Sequence, residues 1–274
     1  MVAAQVLGAI IILAVLLFYI PRWKNRYRRN RPFPPQWQSI LVANLPIYPA
    51  LKLADKDRLH KLINLFIASK QFVGCGGQEI TDEIRVTIAA EACLLLLHHG
   101  WSVYPKLYSV LVYPSSFIVK RDQHREDGTV AMQQDHLSGE SWSNGKVILS
   151  WDDVVAGVSD FNDGHNVVLH EFAHQLDTAS GSANGAPPLR RNSYGSWAAV
   201  LTKEFKDLKW RKFKQHKSVM SEYGATNPAE FFAVATETFF EKPAQLNKKH
   251  PELFEELERY YGVDPRQWQE TNKK

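Results

Sequence analysis

The chain has 274 residues, 45% of them hydrophobic, and carries 33 Lys+Arg against 29 Asp+Glu. The resulting formal charge of +4 is mild and is concentrated near the amino terminus. Cys75 and Cys93 are the two cysteines; they exclude a disulfide framework, and neither belongs to a C-x-x-C pair, so zinc ligation by them is not expected.

Residues 2–20 contain no charged side chain. As a helix they would extend about 28 Å, enough to cross a hydrocarbon core with little tilt. Arg22, Lys24, Arg26, Arg28, Arg29 and Arg31 follow at once. The positive-inside rule then predicts an uncleaved single-pass inner-membrane anchor, with the amino terminus outside and the body of the chain in the cytoplasm. A cleaved signal peptide would need its basic residues before the apolar run and a small-x-small site after it, and Pro21-Arg22-Trp23 offers no such site. The basic run could also serve a nucleic acid, but beside a membrane span topology and anionic headgroups account for it, and no nucleic-acid partner is expected. Pro32, Pro34 and Pro35 stiffen the exit. The expected division is an anchor over 1–21, a basic Pro-rich linker over 22–36 and one domain over 37–274, long enough for its own core.

Residues 36–105 read as mainly helical, with apolar residues at helical spacing over 55–72. Thr81 is a candidate N-cap for an apolar run through His98, with Gly100 as its stop. His98 and His99 then fall at a helix end, where polar capping explains them better than metal binding. The pattern turns to strand at 108–113, 117–120 and 146–151, the last introduced by Asn144-Gly145. Strands followed by helices give an α+β order rather than alternating βαβ units. The strand at 146–151 is a candidate edge for an extended peptide. After Asp177 a stretch rich in Ser, Gly, Ala and Pro reads as a flexible loop over 178–188.

His170-Glu171-Phe172-Ala173-His174 lies between apolar residues that predict a nearly buried helix. Histidines four apart share a helix face, about 6 Å apart along the axis, so both can meet one tetrahedral Zn²⁺. Glu171 sits beside that position without ligating it, as suits a general base acting on water at the metal. The bland alternative is a satisfied pair of core histidines with a salt-bridged Glu171, but without a metal that buried helix would carry a heavy desolvation cost.

A third ligand is needed. The extended HExxHxxGxxH pattern is excluded, because Asp177 stands where its glycine falls and Ser180 where its histidine falls. Asp177 is itself poorly placed as a ligand, about 10 Å of helix beyond His170, and is expected to hydrogen-bond His174 or nearby backbone. A glutamate some two dozen residues after His174 would land in 190–194, which contains no acid. Further on, Asn227 and Pro228 predict a helix start, with Glu230 three residues after the cap. Glu230 could complete a capping box or, next to Phe231-Phe232-Ala233, find its partner in zinc. Glu237 lies two turns along the same face as rival ligand or hydrogen-bond acceptor. Residue chemistry prefers Glu230 but leaves both open.

His170–His174 with Asp177, and then Tyr223-Gly-Ala-Thr-Asn-Pro-Ala-Glu230-Phe-Phe-Ala-Val, resemble the Mlc titration factor A family of zinc-dependent peptidases. Over the same blocks that family is similar to the catalytic domain of anthrax lethal factor. The likeness extends through most of 37–265, including Tyr108–Pro114, Gly139–Trp142 with Gly145, and Asn166. It implies a zincin-like peptidase domain holding one Zn²⁺ by His170, His174 and Glu230, with Glu171 as base and Tyr223 assisting the transition state. Without the resemblance, Tyr223 would equally be an aromatic wedge before a helix. The resemblance also implies hydrolysis of peptide or protein substrates, of aminopeptidase type, and a transcriptional repressor as a partner. The founding type is soluble, so the apparent anchor separates this chain from it. The alternative function is a membrane-tethered binding protein whose zinc is structural and which sequesters a regulator.

Overall fold

The computed structural model describes residues 5, 19–100, 102–115, 117–124, 130–137, 139–142 and 145–269. Most of the predicted span at 2–20 lies outside these residues. Among the described residues no helix is long and apolar enough to cross a membrane. Residues 19–29 are helical (α1) and solvent-facing, with Trp23 stacked on Tyr27 at 6.0 Å.

Pro34 is the extended N-cap of α2 (Pro35–Asn44), and Pro35 opens the helix, where a missing N–H costs nothing. Helix α3 (Leu53–Ser69) buries Leu59, Leu62, Ile63, Leu65 and Phe66. It stops short of the predicted 72, because Gln71–Gly74 leaves as a strand, β1. Thr81 caps α4 (Asp82–Leu94) as predicted, its side chain accepting from the Ile84 amide at 3.3 Å. The regular helix ends at Leu94, before His98, and turns carry the chain to His99. His98 Nε2 lies 3.2 Å from an Asp55 carboxylate oxygen, and the His99 ring packs edge-on against Tyr260 at 4.9 Å.

The four-stranded sheet runs β1-β2-β6-β5, from β2 (Ser109–Tyr113), β5 (Gly139–Trp142) and β6 (Lys146–Ser150). β1 and β2 are parallel, as are β2 and β6, while β5 runs antiparallel to β6. A separate antiparallel hairpin, β3 (Phe117–His124) with β4 (Val130–Leu137), fills the connection between β2 and β5. Within the expected α+β order, β1, α4 and β2 form one βαβ crossover, which parallel neighbours require. One expectation is corrected here. β6 is paired on both sides, so it has no free edge for a peptide; the strands at the two sheet margins are β1 and β5.

Trp151 belongs not to β6 but to α5 (Trp151–Ser159), capped by Ser150. Then follow α6 (Val167–Asp177), α7 (Tyr194–Lys214), α8 (Pro228–Glu241), α9 (Pro243–Lys249), α10 (Pro251–Tyr261) and the short α11 (Arg266–Gln269). α8 is buried at every residue except Pro228 and Glu230. A helix apolar on nearly all sides must run through the interior. It packs on α6, with an aromatic cluster of Phe239, Phe240, Phe254 and Tyr261 beyond it.

Candidate metal centre

α6 begins where Asn166 takes extended backbone and its side-chain oxygen accepts from the Leu169 amide at 2.9 Å. Val168, Leu169, Phe172 and Ala173 go into the core, which turns His170 and His174 together toward α8. Their ring centroids lie 4.8 Å apart.

From the other side, Asn227 caps α8 by accepting from the Glu230 backbone amide at 3.0 Å. The Glu230 carboxylate does not return to the cap to complete a capping box. Its Oε2 instead lies 3.0 Å from His170 Nε2 and 3.3 Å from His174 Nε2. Two turns further along α8, Glu237 Oε1 is 2.7 Å from His170 Nδ1. The structure thus separates the two rivals: Glu230 stands in the cluster, and Glu237 holds the far side of one ring.

His170, His174 and Glu230 each bring one ligand atom, all within 4.8 Å of one another. With Glu237 accepting at Nδ1, the His170 N–H belongs on that side and its Nε2 lone pair faces Glu230. Lone pairs and a carboxylate oxygen crowded into one place repel unless a cation lies among them. In the bare protein a proton fills that need. Burial alone would lower the His170 pKa, but the Glu237 charge and the hydrogen bonds the ring donates to Glu230 and Glu237 hold it well above the usual imidazole value. Glu230 shows the complement: burial raises its pKa, and the two histidines outweigh this and bring it down to about 2. Two imidazoles and one carboxylate, with room left for a further ligand, are a donor set that suits Zn²⁺.

Glu171 is buried and lines a cavity of about 390 Å³ together with His170, Tyr223, Val234 and Glu237. Tyr223 sits on a 3₁₀ turn, Glu222–Ala225, with its ring 5.9 Å from that of His170 and 54% exposed. The structure therefore brings together all five residues singled out in the sequence.

Asp177 is fully buried and stays out of the ligand cluster. Its Oδ2 accepts from the Gly185 amide at 2.7 Å, which ties down the 178–188 segment that composition marks as flexible. The same segment is held by Trp197 Nε1 donating to the Gly185 carbonyl at 2.9 Å and by Lys106 donating to those of Thr178 and Ala179. Gly185 is left-handed (φ +78°), and a Cβ there would come within 2.5 Å of the Pro228 carbonyl oxygen. The segment thus abuts the start of the helix that carries Glu230.

Behind α6, Glu237 belongs to a group of carboxylates whose other members, Glu91 and Glu241, sequence reasoning missed. Glu237 Oε2 accepts from the Asn166 amide at 2.8 Å, and Glu91 accepts from the Asn166 side chain at 2.7 Å. Glu241 accepts from the Gly164 and His165 amides at 2.8 and 3.0 Å. Burial raises Glu91 to about 8, against the pull of Asn166. Burial, then the charges of Glu237 and Glu91, raise Glu241 to about 9. One signal was available: Glu91 is the lone acid inside the apolar run of α4. Glu204, Asp207 and His250 form a second cluster of possible metal donors, but there Glu204 is paired with His250 at 2.6 Å and Asp207 with Arg211 at 2.6 Å.

A mixed sheet beside a histidine-bearing helix, with a carboxylate delivered from a second helix, defines a metallopeptidase-type domain. The chain belongs to the family described as glucose-regulated metallo-peptidase M90, whose model matches residues 20–262. It is 44% identical over 246 residues to the uncharacterized protein slr2042 of Synechocystis sp., covering 89% of each chain. It is 30% identical over 245 residues to Mlc titration factor A of Yersinia pestis, covering 87% of this chain and 89% of that one. The Yersinia pseudotuberculosis protein of the same name matches equally. This family is the one the two sequence blocks resemble.

Proposed function

We propose that the chain is a membrane-anchored zinc peptidase in which His170, His174 and Glu230 hold the metal and Glu171 is the general base. The observation that carries this reading is the convergence of those three side chains, with Glu237 fixing the tautomer of His170. When bound, zinc lowers the pKa of water to near neutrality and polarises a carbonyl. Glu171 takes the proton of the attacking water and delivers it to the leaving amine. The Tyr223 hydroxyl donates a hydrogen bond to the oxyanion as it develops; its exposed place on the cavity rim leaves it room to swing onto substrate. β5, at the sheet margin and packed near α6, offers the edge along which an extended peptide can add.

Aminopeptidase-type cleavage is the finer reading. The described residues lining the cavity include the acids Asp153, Asp163, Glu171 and Glu237 and neither Lys nor Arg, surroundings that favour a free ammonium group. Anchoring is supported by the uncharged stretch 2–20 and the basic run after it, a pattern that favours the cytoplasmic face of an inner membrane for the peptidase.

Glu171→Gln and Glu230→Ala test this reading. The first should retain zinc and lose peptide hydrolysis; the second should lose zinc. Full activity in both would sink the assignment. The Yersinia relatives are named for titrating Mlc; a second reading is that this domain too sequesters a partner, a transcriptional regulator, with its zinc in a structural role. Metal-dependent capture of a regulator, with no hydrolysis across a peptide library, would favour it.

A further inference from the structure

We propose that the carboxyl-terminal end of α7 docks on an anionic lipid surface. The inference is independent of the catalytic reading, because α7 supplies no side chain to the metal centre. At 3.6 residues per turn, Lys206, Trp210, Phe213 and Lys214 share one face of α7. The opposite side is anchored in the core by Trp197, Leu201 and Leu208. Trp210 is 50% exposed and Phe213 is 78% exposed. Trp210 leans edge-on against His216 at 5.1 Å, and both rings keep large exposed faces on a helix that has already buried its apolar stripe.

The surrounding charge is predominantly positive, with Glu222 the exposed acid beside Lys212. Lys206, Lys209, Lys212 and Lys214 are exposed around the two rings, while the acids of this stretch are engaged elsewhere, Glu204 by His250 and Asp207 by Arg211. Gln215 then takes left-handed backbone and turns the chain away, which leaves Phe213 and Lys214 at a projecting tip. A nucleic-acid backbone would satisfy the lysines and leave Phe213 in water. A lipid surface satisfies both, because aromatic rings settle at headgroup depth while lysines reach anionic phosphates.

The same composition recurs in α1, where exposed Tyr19, Trp23 and Tyr27 alternate with Arg22, Lys24 and Arg26 directly after the uncharged stretch. Two separate segments therefore present interfacial aromatics among cations. α7 also packs against the turn that bears Tyr223, so a docked α7 fixes that rim of the cavity relative to the bilayer.

The full chain is reconstituted in vesicles of phosphatidylcholine with or without phosphatidylglycerol, the lipids carrying brominated acyl chains that quench tryptophan. With phosphatidylglycerol, the wild type should be quenched more than Trp210→Phe. High salt, or Lys206→Glu with Lys214→Glu, should abolish that increment. Zinc content and circular dichroism check that each variant is folded. Equal quenching of wild type and Trp210→Phe in the anionic vesicles overturns the proposal, as does an equal increment in the two lipids.

Discussion

Glu237 accepts at Nδ1 of His170 at 2.7 Å, and so orients from behind a ring whose other nitrogen faces Glu230. One face of α8 thereby supplies both a member of the donor cluster and the residue that aims its neighbour. Substituting Glu237 with Ala should leave all three donors in place but free the ring to rotate and to take the wrong tautomer. Loss of such a partner costs about 10- to 100-fold in metal affinity. Competition against a chromophoric chelator measures this, and unchanged affinity would show that packing alone orients the ring.

Tyr223 offers a sharper separation of chemistry from binding. If its hydroxyl meets the oxyanion only as charge develops, Tyr223→Phe should lower kcat by about 10²-fold, as expected for removal of one oxyanion donor, with little change in KM. Zinc content should stay at the wild-type level, since the ring is 5.9 Å from His170 by centroid and supplies no ligand atom. A selective rise in KM would instead make the tyrosine a wall of the substrate cavity.

Asp177 predicts a local effect. Its carboxylate satisfies the Gly185 amide in a buried place, so Asp177→Ala leaves that donor orphaned at a cost of about 1–3 kcal/mol. Limited proteolysis should then cut within 178–188 faster than in the wild type. Gly185→Ala should act similarly for a different reason: its backbone is left-handed, and the added Cβ meets the Pro228 carbonyl oxygen. Wild-type resistance in both variants would show that Trp197 and Lys106 suffice to hold the segment.

Much of the centre was legible because its signals are local. Spacing puts His170 and His174 on one face, and Asn227-Pro228 announces the helix that carries Glu230. What was not legible depends on pairing across the chain. The four residues of β1 become a strand only against Ser109–Val112, and nothing within Gln71–Gly74 specifies that partner. β6 reads correctly as a strand, yet its lack of a free edge depends on β2 and β5. The same holds for 178–188, where Gly and Ser suggest freedom and one buried carboxylate removes it. Glu237 was left open between rival ligand and hydrogen-bond acceptor, because sequence gives its helix face but not which ring nitrogen it meets; the structure makes it the acceptor at Nδ1.

Glu91 gives the chain a specific dependence on pH. Its folded pKa of about 8 lies above the ordinary carboxylate value of 4.5, because burial disfavours the ion more than the Asn166 hydrogen bond favours it. Between those values the folded state holds a proton that the unfolded chain has released. The stabilisation is therefore complete below about pH 4.5 and is lost as pH rises toward about 8. Glu91→Gln cannot ionise, and its carbonyl can still accept from Asn166. Its amide would take the place of an oxygen without a hydrogen-bond partner, which adds a constant penalty of about 1–3 kcal/mol. The informative quantity is thus the slope: on zinc-loaded protein, Tm of the variant minus Tm of the wild type should climb between pH 5 and 8 and level off above. Glu241, raised to about 9, keeps some alkaline loss in both proteins. A difference in Tm that stays flat across the window would mean that Glu91 is already ionised in the folded chain.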